Sequence, residues 1–224
     1  MAVSDLLSLM AAMGTSDCEA IREAWLAQPV NAWSSGAYLL AGGYLAIRHR
    51  AIAAVAPVLT PAVLALGAVA AGSFLYHGPQ PAWGDAAHDA TIALLLGSLA
   101  SLGGAAGSLG DHRRPVTVVV VAAAALVVAV PSSVAMVHGA LAAFVAVSAV
   151  RTMVRTGLTP AAQVALVALA AGLVLFAVGR TGGPLCDPRS LAQPHAGWHV
   201  ATAVAAAGLV TTDLRSRRHR PTAP

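Results

Sequence analysis

Two pairs of polar side chains in this sequence repeat at a spacing of four: Ser73 with His77, and His195 with His199. Residues four apart stand on one face of a helix, one turn above the other. Between the pairs come Asp85, His88 and Asp89. Three imidazoles meeting at one point make the ligand set of a catalytic zinc, with a fourth position left for water. Such an ion lowers the pKa of water toward ~7 and polarises a carbonyl. A carboxylate beside it can take up and return a proton, and a hydroxyl can donate to an oxyanion. On these grounds His77, His195 and His199 are the candidate ligands. Asp89 is the candidate acid–base residue, with Asp85 its nearby rival, and Ser73 is the candidate oxyanion donor.

Each of these residues also has a plainer reading. An interfacial histidine often caps a helix or meets lipid headgroups, and a serine among small residues often serves helix packing. His138 reads as a packing residue, with contact to the site as the alternative. His49, His112 and His219 stand in basic clusters and read as headgroup-facing. A further polar group, Asp17, Glu19, Glu23, Gln28 and Asn31, is oxygen-rich in the way of calcium-binding segments. On residues alone, a solvated, helix-forming segment is the plainer account.

The elements that must position these groups follow from composition. Hydrophobic residues make up 58% of the chain and charged ones 10%, against about 25% charged in soluble domains. Lipid is the solvent such a chain requires. A length of 224 residues divides into about seven spans of ~20 residues with short loops. The apolar runs are about 32–47, 51–76, 89–109, 115–130, 134–150, 160–178 and 195–210. The expectation is therefore all-α: an integral membrane bundle of seven transmembrane helices. Residues 1–31 form an N-terminal segment, 32–214 the bundle and 215–224 a basic tail. The fourth and fifth runs are divided only by Pro131-Ser132-Ser133, so a single buried hairpin is the alternative there. Residues 1–14 lack a basic leader and carry Asp5, which does not read as a signal peptide. Leu6, Leu7, Met10 and Met13 fit a short amphipathic surface helix.

All thirteen basic residues are arginines. Ten of them (Arg48, Arg50, Arg113, Arg114, Arg151, Arg155, Arg215, Arg217, Arg218 and Arg220) fall in the odd loops and the tail. Three (Arg22, Arg180 and Arg189) fall in the N-terminal segment and the even loops. This bias puts the C-terminus in the cytoplasm and the N-terminus outside. It also accounts for a pI near 9.8 without a nucleic-acid partner. With that topology His77, Asp89, His195 and His199 share one depth near the outer face, where an ionisable group within a span is costly and usually functional. Trp25, Trp33, Trp83 and Trp198 fall at the same face, as an aromatic belt does. Cys18 and Cys186 both lie outside, where disulfides persist. The reading favours a bridge between them, tying the N-terminal segment to the last outer loop.

The stretch Gly72-Ser73-Phe74-Leu75-Tyr76-His77, an Asp opening the next span, and His195-Ala196-Gly197-Trp198-His199 resemble the alkaline ceramidase family. That family belongs to a superfamily of seven-span hydrolases that includes the adiponectin and progestin receptors. The resemblance runs from about Asp17 to His199. It implies a zinc bound by His77, His195 and His199, with Ser73 and Asp89 in the places of the family's Ser and Asp, and a bridge from Cys18 to Cys186. Animal members bind calcium in the N-terminal segment. Here Asp17 and Glu19 fit that pattern, and Gln28 stands where an acid is expected. The chain looks like the shorter bacterial branch, which implies a multi-pass protein of the bacterial plasma membrane.

The reading is thus a zinc-dependent amidohydrolase acting on ceramide or a related lipid amide, with membrane lipids as its surroundings. Gly72, Gly78, Ala196 and Gly197 would leave room for an acyl chain. A receptor-like or lipid-sensing protein with a structural zinc is one alternative. A transporter is another, but broken helices at mid-membrane are not evident in the sequence.

Overall fold

The computed structural model describes residues 13–50, 59–102 and 109–218. The expected surface helix at Leu6, Leu7 and Met10, the start of the second span and the end of the tail (His219, Arg220) lie outside the described residues. A short helix α1 (Pro29–Ser34) leads into α2 (Gly36–Arg48), α3 (Leu59–His77), α4 (Gly84–Ala100) and α5 (Leu109–Ala129). A turn of 3-10 helix (Pro131–Ser133) then joins α5 to α6 (Val134–Thr156), followed by α7 (Pro160–Val178) and α8 (Pro194–Arg218). Seven of these helices are long, and the described chain is all-α.

The helix ends follow local signals. Thr159 caps α7 by accepting the Ala162 N–H at 3.2 Å, with Pro160 at the first helical position, where its missing N–H costs nothing. The expected run 160–178 coincides with that helix. Pro131 opens the turn that separates α5 from α6. Elsewhere the helices outrun the apolar runs. The stretch Asp111-His112-Arg113-Arg114, expected as a loop closing the third span, has helical backbone in the first turns of α5. α8 likewise continues through Asp213 and Arg217 to Arg218. Apolarity is not what ends a helix, and arginine is a good helix former, so a helix continues past the end of its apolar run. The first expected span is divided at Ser35 into α1 and α2.

Two packed clusters hold the bundle together. Tyr38 and Leu45 of α2, Leu66 and Val69 of α3, Leu95 and Leu99 of α4, and Ala203, Ala206 and Val210 of α8 form the larger one. Ala93, Ala124, Val127, Val137 and Leu141 join α4, α5 and α6 in the smaller. The alanines let helix backbones approach closely, as association in lipid requires. The outward faces remain apolar: Leu40 and Ile47 on α2, Phe144 and Val154 on α6, and Val167 and Val174 on α7 are all exposed. An apolar surface of that extent is not tolerated in water. Among the described residues, three helical segments, Leu59–His77, Pro131–Thr156 and Pro160–Val178, are long and apolar enough to cross a membrane, which points to membrane association.

Two sequence expectations are corrected by packing. His49, read as headgroup-facing, is buried. It caps α2 with its backbone N–H on the Leu45 carbonyl. The glycines expected to leave room for an acyl chain, Gly72, Gly78 and Gly197, are used for close packing instead. A Cβ at Gly72 would meet Thr91 Oγ1 of α4 at 2.5 Å, and one at Gly197 would meet Leu175 Cδ1 of α7 at 2.8 Å.

Candidate metal centre

The last turns of α3 and the first turns of α8 bring Ser73, His77, His195 and His199 together. All four are buried. One ligand atom from each of His77, His195 and His199 lies within 4.8 Å of the others. Their ring centroids are 5.0 Å (His77–His195), 5.2 Å (His77–His199) and 4.6 Å (His195–His199) apart. Among the described residues this is the group of three or more side chains that can hold a metal ion.

What faces each ring on its far side decides which nitrogen is on offer. Gln28 is fully buried, and its Nε2 donates to the carbonyls of Gly14 (2.9 Å) and Glu19 (2.7 Å). Its Oε1 is thereby left as an acceptor, 2.8 Å from His77 Nδ1. His77 must then carry its proton on Nδ1 and keep a lone pair on Nε2. Ser34 Oγ donates to the Asn31 carbonyl at 2.8 Å, so toward His199 Nδ1, also at 2.8 Å, it can only accept. His195 Nδ1 lies 3.5 Å from Asp17 Oδ1, and Arg180 stands 3.7 Å from the same oxygen. Each ring is turned by an oxygen on Nδ1, as metal-ligating histidines are, and each is left with Nε2 to offer.

A metal fits that arrangement. His77 Nε2 is buried without a hydrogen-bond partner, and an orphaned buried polar atom costs about 1–3 kcal/mol. An ion shared among the three Nε2 atoms would satisfy it. Three imidazoles also suit zinc among the divalent metals. Ser73 Oγ lies 2.9 Å from Ser35 Oγ, whose single proton also has the Asn31 carbonyl within reach at 3.1 Å, and 3.4 Å from His199 Nε2. The Ser73 hydroxyl therefore stands beside the nitrogen that His199 offers.

The N-terminal segment closes this end of the bundle. The Cys18–Cys186 disulfide, with Cα atoms 5.5 Å apart, ties it to the loop before α8, as expected. The Ala20 N–H donates to the Pro188 carbonyl and the Gln28 N–H to the His77 carbonyl, so the strap is bonded to the loop before α8 and to the end of α3. Gly14 has φ +75°, and a Cβ there would collide with Gln28 Oε1. Glycine is required for the backbone conformation and also for the space.

The remaining sequence candidates are placed as follows. Asp89 lies on the first turns of α4, its Oδ1 3.5 Å from His88 Nδ1. The Asp89 backbone carbonyl accepts from His138 Nε2 at 2.9 Å, which gives His138 a contact beyond packing. His88 stacks on Tyr76 (4.4 Å) with its ring 6.3 Å from that of His77. Asp85 is in the first turn of the same helix. The oxygen-rich segment is not a solvated helix. Asp17 and Glu19 are buried and serve different partners: Asp17 faces His195, while Glu19 accepts the Val30 (2.9 Å) and Asn31 (2.8 Å) N–H groups at the start of α1. Of the aromatic belt residues, Trp25, Trp33 and Trp83 are exposed, the first two flanking Phe74.

Sequence reasoning missed Gln28 as a histidine partner and Ser34 altogether. Gln28 was visible as one of an oxygen-rich group and as a departure from an acidic pattern, and nothing in the spacing of Ser34 links it to His199, 165 residues away. Compared with known proteins, the chain matches no family model and none of the curated sequences.

Proposed function

We propose that this chain is a zinc-dependent amidohydrolase of the membrane, similar to the alkaline ceramidases, that cleaves the N-acyl bond of ceramide or a related lipid amide. In this reading the seven long helices span a bacterial plasma membrane, with the N-terminus outside and the centre near the outer face. The observation that carries the reading is the set of three buried rings, each with an oxygen at Nδ1, whose ligand atoms lie within 4.8 Å of one another beside a serine hydroxyl.

Zinc held by His77, His195 and His199 would supply Lewis-acid chemistry, polarising a carbonyl and making water nucleophilic near neutral pH. Gln28, Ser34 and Asp17 fix the three rings, so the ligand geometry is set before substrate arrives. Ser73, beside Ser35, donates a hydrogen bond to the oxygen that gains charge as the amide carbonyl is attacked. Asp89, beside His88, accepts a proton from the attacking water on its carboxylate and returns it to the departing amine. The Cys18–Cys186 strap shields the reacting groups from bulk water, which strengthens each of these interactions.

Purified protein assayed for bound metal and against a panel of lipid amides tests this reading. About one zinc per chain is expected, together with hydrolysis of at least one amide, and both should be lost in His195→Ala. Amide hydrolysis that survives His195→Ala would sink the proposal. Bound zinc without turnover of any lipid amide would favour a structural zinc in a receptor-like protein.

A further inference from the structure

Below the metal centre, α8 is flanked by α2 and α7, which scarcely touch one another. The gap between them is a groove of about 590 Å³ with an overwhelmingly apolar wall. Leu40 and Tyr44 of α2, Val164 of α7, and Val200 and Val204 of α8 line it, and Arg215 stands at its far end. At 1.5 Å per residue, Val200 to Arg215 spans about 22 Å. One leaflet of a ~30 Å hydrocarbon core is about 15 Å deep, so the groove can hold a whole acyl chain. Leu40, Tyr44, Val164, Val200 and Val204 are all exposed, so the groove opens sideways toward the lipid.

The charge at its end points to the occupant. Arg217 is engaged by Asp213 at 2.6 Å. Arg215 is exposed and, among the described residues, has no carboxylate partner. Arg48 lies one turn beyond Tyr44 on α2, four residues on and so on the same helix face. An apolar slot between helices that ends in cationic side chains fits an amphiphile with an acidic head. We propose that this groove binds an anionic phospholipid, its acyl chain lying along α8 between α2 and α7 and its phosphate at Arg215. This site is separate from the metal centre and does not depend on the activity assigned there.

The test uses the full chain in detergent, with phosphatidylglycerol and phosphatidylcholine of identical acyl chains competing in native mass spectrometry. Retention of one phosphatidylglycerol is expected, preferred over phosphatidylcholine by about fivefold. Arg215→Gln should bring that ratio close to one. Val204→Trp should fill the groove and reduce retention of both lipids. If Val204→Trp does not yield a monodisperse helical protein, Leu40→Trp, at a more exposed position of the same groove, carries the same expectation. An unchanged preference in Arg215→Gln would overturn the proposal by assigning the effect to the basic tail at large. Undiminished retention in a folded tryptophan variant would overturn it by placing the chain elsewhere.

Discussion

The two ends of α8 both bury ionisable side chains and treat them in opposite ways. At the far end Asp213 and Arg217, four residues apart, close on one another at 2.6 Å. At the near end His195 and His199, also four apart, do not pair with each other. Their Nδ1 atoms face Asp17 and Ser34 on the N-terminal segment and α1, and their remaining nitrogens face His77. The same spacing on the same helix therefore gives an ion pair at one end and a ligand set at the other. Burial of polar groups does not by itself mark a site, and neither does one unsatisfied buried atom, since Arg217 Nη2 is also without a hydrogen-bond partner. The mark is the convergence of three ligating side chains around such an atom, as at His77 Nε2.

The largest effects should separate the two ends. His77→Ala is expected to abolish zinc binding and lipid-amide hydrolysis while leaving helicity intact, read by metal analysis, activity and circular dichroism. Asp213→Ala should do the reverse, keeping the zinc and losing about 3 kcal/mol of stability, because it strands the Arg217 charge in a largely buried place. Thermal unfolding in detergent reads that loss. If His77→Ala instead unfolds the protein while Asp213→Ala is silent, the contrast is inverted. Next in size is Ser73→Ala. Loss of an oxyanion donor costs about 10²–10³-fold in kcat, with zinc content unchanged. A fall in zinc content equal to the fall in kcat would make Ser73 a support for His199 rather than a donor to substrate.

The ligand histidines were legible because spacing on a helix is a local property and the arginine bias suggests a direction for each expected span. Together these bring His77, His195 and His199 to one depth without any tertiary information. The disulfide was legible for the same reason. Gln28 and Ser34 were not, because their partners are set by how the N-terminal segment folds back over α3 and α8, and no periodicity records that. Gln28 shows the limit most clearly. Against an acidic pattern it reads as a loss, yet the position needs two donors for the Gly14 and Glu19 carbonyls and one acceptor for His77. Only a neutral amide supplies both. The glycines misled in the opposite direction, since absence of a side chain in the sequence says nothing about whether the space is open or filled by a neighbouring helix.

The smaller predictions concern the groups that hold the rings. Gln28→Glu keeps an acceptor for His77 but sets carboxylate oxygens against two carbonyls that had received N–H groups. Loss of such a supporting contact lowers metal affinity by about 10–100-fold, and the charge conflict places Gln28→Glu at the upper end of that range in a competitive chelator titration. Ser34→Ala should fall at the lower end, about tenfold. Its methyl group removes one neutral acceptor from His199 Nδ1 and adds no opposing charge. Ser34 and Ser73 thus face opposite nitrogens of one ring, at 2.8 Å and 3.4 Å, and the two alanine variants should fail differently. With zinc supplied in excess, Ser34→Ala should recover most of its turnover. Ser73→Ala should recover none, because what it lacks is a proton donor and not the ion. Equal recovery in both variants would erase the distinction between the serine that aims the ring and the serine that faces the substrate.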